Sequence, residues 1–391
     1  MNETRHIPFG KPWITDEDRQ AVLDVLQGSI LTHGPQGKLF EEEFAVFIKG
    51  ENQASEAHCV TVSSGMAALH LAYWQLGIGA GDEVIVTAQT HNATAHAIEI
   101  LGAKPVFIDC RLDNGNIDVQ QIEQAITPRT KAISLVHFIG IPCDMDGVLD
   151  IAQRHELKVI EDCAIALGAR FRGVHVGLLG DAGCFSFYPV KHITSGEGGM
   201  FITKHGDLAQ RVAHTRAFGV DRTHTERSIP GFYDVTAVGL NYRMSEMQAA
   251  LGRQQLKRID EILARRKANF NLLKTLLNEL DEITVLDSPH DQQLQSSHYC
   301  LSLLLKGDLG KRRNEIVLEL NQAGIGTSIY YPHPVPLLTY YRQKYGYRNQ
   351  DFPNALTISD TSIALPVAPH VTEEDIRYMV THLKQILREV K

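Results

Sequence analysis

Residues 58–77 read HCVTVSSGMAALHLAYWQLG: a short apolar run, a Ser-Ser-Gly turn, then apolar residues at helical spacing. The run has the length and β-branched content of a strand, and the serines stand where a helix N-cap is expected. The same unit recurs downstream. DEVIVTA (82–88) precedes THNATAHAIEILG (90–102), KPVFIDC (104–110) precedes DVQQIEQAI (118–126), KAISLVHFIG (131–140) precedes MDGVLDIAQRHE (145–156), and LKVIEDC (157–163) follows. Nearly continuous apolar strands alternating with amphipathic helices predict an α/β fold with a mostly parallel sheet covered on both faces.

Before this region, TDEDRQAVLDVLQGS (15–29) reads as a capped helix, with Thr15 at the cap, acids in the first turn and Gly28 at the end. After it, residues 244–280 carry one long helical pattern. Then come HYCLSLLLKG (298–307), the Pro-rich YYPHPVPLL (330–338) and a final helix over 372–390. The expected division is a large domain over 1–255, including an N-terminal arm, and a smaller α+β domain over 256–391.

Composition narrows the function. The 391 residues include 38 Lys+Arg against 46 Asp+Glu, a formal charge of −8, with no basic block suited to nucleic acid or anionic lipid. No signal-peptide pattern opens the chain and no apolar run reaches the ~20 residues of a membrane span, so a soluble, cytoplasmic protein is expected. The six cysteines form no C-x-x-C pair and read as free thiols; the 18 histidines include no H-E-x-x-H, so no metal is expected.

Ligands of open α/β sheets gather beyond the carboxyl ends of strands. The positions just past the apolar runs carry Ser63, Ser64, Thr90, His91, His137, Asp162 and Lys191. SSGMAALHLA (63–72) opens a helix whose free N–H groups and dipole suit a phosphate, although plain capping also explains it. The acidic pair in LKVIEDCAIALGA (157–169) ends a buried strand, where a carboxylate requires a cationic or donating partner. Asp162 can equally serve as a helix cap. In GCFSFYPVKHITSGEGGMFIT (183–203), Lys191 lies among Phe185, Phe187, Tyr188 and Ile193, ahead of glycines that allow close approach to a ligand. Desolvation there lowers a lysine's pKa and frees its amine as nucleophile and proton carrier. A phosphate-binding helix start, an acid at a strand end and a desolvated lysine are the parts that hold pyridoxal phosphate.

Over nearly its whole length the sequence resembles the DegT family of sugar aminotransferases, which have the fold-type-I architecture of pyridoxal-phosphate enzymes. The resemblance rests on LTHGPQGKLFEEEFA (31–45), SSGMAALHLA, GAGDEVIVTAQTHNATAHAI (79–98), GAKPVFIDC (102–110), ITPRTKAISLVHFIG (126–140), VIEDCAIALGA, GDAGCFSFYPVKHITSGEGGM (180–200) and GLNYRMSEMQAALGRQQL (239–256), in family order. It implies a large domain whose mostly parallel sheet has about seven strands. It also implies that Lys191 carries the cofactor as a Schiff base, that Asp162 pairs with the pyridine nitrogen, and that Ser186 binds the phosphate with the backbone of Gly65 and Met66. Asn241 is similar to the asparagine that reaches the phosphate from a neighbouring subunit, which implies a homodimer with shared active sites.

Three positions depart from the family pattern. Met66 replaces a threonine, His91 replaces the aromatic stacked on the cofactor ring, and Ile165 replaces a polar residue near cofactor or substrate. The reaction implied is amino transfer from L-glutamate, through pyridoxamine phosphate, to a nucleotide-linked keto sugar for amino-sugar and surface-polysaccharide biosynthesis. Arg216, Arg222, His224 and Arg227 are candidates to meet the diphosphate, although a solvated charged loop also explains each of them, and Tyr331 or His333 are candidates beside the sugar. Two alternatives stand next to this one: a dehydratase of the same family, which has histidine at the position of Lys191, and a non-catalytic binding protein on the same fold.

Overall fold

The apolar runs form strands β1 (His58–Val62), β2 (Glu83–Thr87), β3 (Lys104–Ile108), β4 (Thr130–Val136) and β5 (Lys158–Asp162), then the short β6 (Arg170–Phe171) and β7 (Val174–His175), then β8 (Ala182–Ser186) and β9 (Gly199–Thr203). The computed structural model describes residues 5–50, 56–221, 229, 231–288 and 293–390. Among these residues seven strands make one sheet in the order β1-β9-β8-β5-β4-β2-β3. Pairing is parallel from β3 to β8, while β9 runs antiparallel to both neighbours. Strands β2 and β9 are buried at every residue, which only helices on both faces can achieve. The mostly parallel α/β sheet predicted from the alternation is therefore the fold.

The helices follow their caps. Helix α1 (Asp16–Gln27) has the expected box at Thr15, closed by the buried Asp18, whose carboxylate also receives Arg258 Nη2 at 2.7 Å. Helix α2 (Pro35–Lys49) turns Phe40 and Phe44 onto β8 and the loop after it; the Phe44 ring lies 5.3 Å from Phe185 and 5.8 Å from Phe187. Helix α3 (Gly65–Gln75) differs from its reading as amphipathic. Every residue from Ala67 to Tyr73 is buried, because the helix lies on β8 and β9 and beneath neighbouring helices, so no face is left for water. The long pattern over 244–280 is likewise two helices, Glu246–Leu256 and Ile259–Leu277. They break at Arg258, which is anchored on Asp18 and the Trp13 carbonyl.

Beyond these helices, β10 (Ile283–Val285), β12 (Leu301–Leu305) and β13 (Ser362–Leu365) make an antiparallel sheet, while β11 (Leu294–Gln295) joins β6. The N-terminal arm packs here too, through a bridge from Ile7 to Ile325.

Strand β5 ends in two carboxylates that face opposite sides of the sheet. Glu161 is fully buried and accepts N–H groups from Gly177 (2.7 Å) and Gly180 (2.6 Å). Its third partner is His137 Nε2 at 2.9 Å. Because His137 Nδ1 accepts the Cys143 amide, the ring proton sits on Nε2 and donates to Glu161. Glu161, His137 and Cys163 lie close enough to hold a metal ion, but neither ring nitrogen keeps a free lone pair for one. Replacing Glu161 by alanine leaves three buried donors unanswered and should cost about 3 kcal/mol or more. Urea denaturation of the purified variant measures this, and an unchanged midpoint would contradict the assigned role.

Candidate active site

Asp162, the second carboxylate, faces the carboxyl edge of the sheet. Strand register gathers the candidate groups there: Asp162 pairs with Cys184 of β8, while Ser186, Gly199 and Val62 stand level on β8, β9 and β1. Only 3% of Asp162 is exposed. Its Oδ1 accepts the Ala164 amide at 3.0 Å within a turn, since no helix follows β5 for it to cap, and its Oδ2 accepts the Thr94 hydroxyl at 2.7 Å.

The anion site is built from backbone. Ser64 caps α3 through Ala67, as capping alone predicts. The amides of Gly65 and Met66 nevertheless have no acceptor among the described residues. They open an 11-residue helix, so its dipole adds to their pull on an anion. Space there exists because residue 65 has no side chain: a Cβ would stand 2.8 Å from the Ser186 Cβ. Gly199 meets the same turn, where a Cβ would lie 2.5 Å from the Ser64 carbonyl. Among the described residues the Ser186 hydroxyl accepts only a long 3.4 Å contact from the Tyr188 amide and keeps its own hydrogen to donate.

Lys191 sits in the loop from β8 to β9, which folds on itself through bonds from Lys191 N to Tyr188 O and from Ser195 N to Phe187 O. Phe185, Phe187 and Ile193 of the same stretch are buried in one apolar cluster, whereas Tyr188 is 48% exposed and lies outside it. The ring facing the amine is Tyr299, its centroid 5.6 Å from Nζ. Loss of water lowers the Lys191 pKa from 10.5 to about 8, and the Asp162 charge pulls back upward. Below about pH 8 the amine is therefore protonated and above it free, so an ordinary lysine is turned into a nucleophile near neutrality.

His91 caps helix α4 (Asn92–Ile100), its Nδ1 accepting the Ala93 amide at 3.1 Å, so Nε2 bears the proton in the neutral ring. Although the residue as a whole is exposed, partial loss of water around its ring lowers the pKa; Asp162 opposes this and Lys191 adds to it. Tyr331 stands edge-on to it at 5.7 Å. Burial raises the tyrosine's own pKa, with Asp162 adding to the rise. His91, Tyr331, Asp162 and Lys191 thus share one recess.

Other expected residues lie elsewhere or are otherwise engaged. His333 is exposed and lines a separate cavity of about 320 Å³ with Leu338, Thr339 and Arg342. Asn241 is exposed beside Ala217, and Ile165 is buried in the core. Arg216 is already occupied, held by Glu41 at 2.6 Å and by Thr61. Arg222, His224 and Arg227 lie outside the described residues. Thr94 and Tyr299 were not singled out from sequence: a threonine inside a helix and an aromatic at the start of an apolar strand look like packing.

Residues 12–384 match the DegT/DnrJ/EryC1/StrS aminotransferase family. The chain belongs to that family. It is 36% identical over 386 residues to the spore coat polysaccharide biosynthesis protein SpsC of Bacillus subtilis, covering 98% of this chain and 97% of that one. The putative sugar aminotransferase Spr1654 of Streptococcus pneumoniae, solved in its PMP form, superposes with a TM-score of 0.92 at 28% identity over 99% of this chain and all of that one. PseC of Helicobacter pylori, an aminotransferase of pseudoaminic acid biosynthesis, gives 0.90 at 26% identity over 98% of this chain and 100% of its own. The fold is therefore fold type I, and the protein is a pyridoxal-phosphate-dependent sugar aminotransferase. The free amides at Gly65 and Met66, the cleared space at Gly65 and the desolvated amine of Lys191 fit that cofactor.

Uptake of pyridoxal phosphate by the apoenzyme should accelerate with rising pH, with a midpoint near 8 rather than 10.5. Stopped-flow absorbance at a series of pH values checks this, and a rate still climbing steeply above pH 9.5 would place the amine in water instead.

Proposed function

We propose that the enzyme transfers the amino group of L-glutamate to a nucleotide-linked keto sugar, a 4-keto-6-deoxy sugar in the first instance, at sites shared across a homodimer. The carrying observation is the juxtaposition of a desolvated Lys191 amine and the buried Asp162 carboxylate beside an unfilled helix start. In this reading the amides of Gly65 and Met66 and the Ser186 hydroxyl hold the phosphate, Asp162 faces the ring nitrogen, and His91 lies along the ring. Bound there, pyridoxal phosphate supplies an electron sink and a carbon that receives and passes on the amino group. Lys191 anchors it covalently; once released, its amine takes a proton at Nζ and returns it, a task suited to a pKa near neutrality. A lysine rather than a histidine at 191 favours amino transfer over dehydration.

The sugar substrate is supported by the roles of SpsC in spore coat polysaccharide biosynthesis and of PseC in pseudoaminic acid biosynthesis. The shared site is supported by an apolar surface next to Asn241: Phe218, Phe232, Tyr233 and Val238 are 48%, 63%, 50% and 74% exposed, more than a lone subunit ordinarily shows in one segment. A cytoplasmic setting agrees with six unpaired cysteines, and no helix among the described residues is long and apolar enough to cross a membrane.

Incubation with glutamate and a panel of nucleotide-linked keto sugars should release 2-oxoglutarate with at least one of them. Lys191→Ala should lose both this turnover and the visible absorbance of lysine-bound cofactor. Mixing Lys191→Ala with Asn241→Ala subunits should restore about a quarter of wild-type turnover, because one site in each hybrid dimer is intact. Turnover equal to the mean of the two parents would rule out sharing through Asn241.

A further inference from the structure

The Asp162 carboxylate is buried, yet it is only half satisfied. Oδ1 takes the Ala164 amide and Oδ2 takes the Thr94 hydroxyl, and no other hydrogen-bond donor reaches either oxygen among the described residues. Each oxygen keeps a second lone pair, and a buried charge in this condition calls for a further donor. What fixes the direction of those lone pairs is Thr94.

Thr94 is fully buried in the first turn of α4, and Thr90, one helical turn earlier in the chain, is 1% exposed. Their hydroxyls lie 2.9 Å apart, a distance that by itself leaves the donor undecided. The bond to Asp162 decides it. A carboxylate only accepts, so the single Thr94 hydrogen goes to Oδ2, and Thr90 must donate to the Thr94 oxygen. The result is a directed chain from the Thr90 hydroxyl to the Thr94 hydroxyl to Asp162, each bond polarising the next. The same helix turn holds His91 by its Nδ1, so one helix start sets both the imidazole and the carboxylate.

We infer that Thr94, oriented by Thr90, is the positioning residue of this site, holding the Asp162 carboxylate so that its remaining lone pairs face the ring nitrogen of the bound cofactor. The inference rests on the reading that Asp162 pairs with that nitrogen. It differs from a packing role in a definite way. A structural threonine would alter stability, whereas a positioning threonine acts on the cofactor only through Asp162.

The test is a cofactor titration of the apoenzyme, followed by absorbance, together with thermal melting of each apo variant. Thr94→Val, nearly equal in shape, should weaken pyridoxal phosphate binding by at least about tenfold, as expected for a lost bond to a buried charge. Thr94→Ser should stay within about threefold of wild type, and Thr90→Val should fall between the two. Asp162→Asn should weaken binding at least as much as Thr94→Val. Adding Thr94→Val to Asp162→Asn should then cost little more, because the hydroxyl no longer has a charge to orient. Wild-type affinity in Thr94→Val, or a lower melting temperature with unchanged affinity, overturns the positioning role. Additive losses in the double variant overturn it too. Wild-type affinity in Asp162→Asn would instead overturn the underlying ring-nitrogen reading. If Thr94→Val does not fold, Thr94→Ser and Thr90→Val still decide the matter through the order of their affinities.

Discussion

Strand β5 closes on a buried carboxylate whose every partner is internal, and the site depends on it. Glu161 draws in two backbone amides and the His137 ring, and this network ties the loop after β7 and the residues after β4 to the end of β5. A strand alternates its side chains, so securing residue 161 on one face places residue 162 on the other. Asp162 reaches the carboxyl edge for that reason. The two acids, adjacent in sequence and alike in chemistry, are thereby divided between holding the sheet together and standing at its carboxyl edge beside Lys191.

Around Asp162 the charges are arranged so that each limits another. The Lys191 amine loses most of its water, which favours its neutral form, while Asp162 keeps that shift moderate. Burial of the His91 ring lowers its pKa, the same carboxylate opposes that shift and the nearby lysine adds to it. The start of α3 offers amides and a helix dipole to an anion without any charged side chain, and the missing side chain of Gly65 keeps Ser186 close to it.

Much of this was legible as pattern. Period and capping located the strands, the box at Thr15 and the start of α3, because these are properties of a few consecutive residues. Two helices resisted. Residues 65–75 look amphipathic in isolation, and only their cover by neighbouring helices makes them buried all round. Residues 244–280 look continuous, and only the anchoring of Arg258 on Asp18 breaks them. Arg216 is bonded through Nη1 to Glu41 and Thr61, partners that lie far from it in sequence. Thr94 and Tyr299 carried no local signal, since their significance lies in what they touch across some 68 and 108 positions of chain.

The sequence by itself determined the α/β order, the lysine at 191 that separates amino transfer from dehydration, the carboxylate at 162 and the glycine at 65. These depend on residue type and local spacing, which the chain states directly. Tertiary structure alone decided which ring faces the lysine, which arginine is already paired and which hydroxyl reaches the acid. Each of those is a contact between distant segments, and a contact is set by how strands register and helices pack rather than by the identity of either partner.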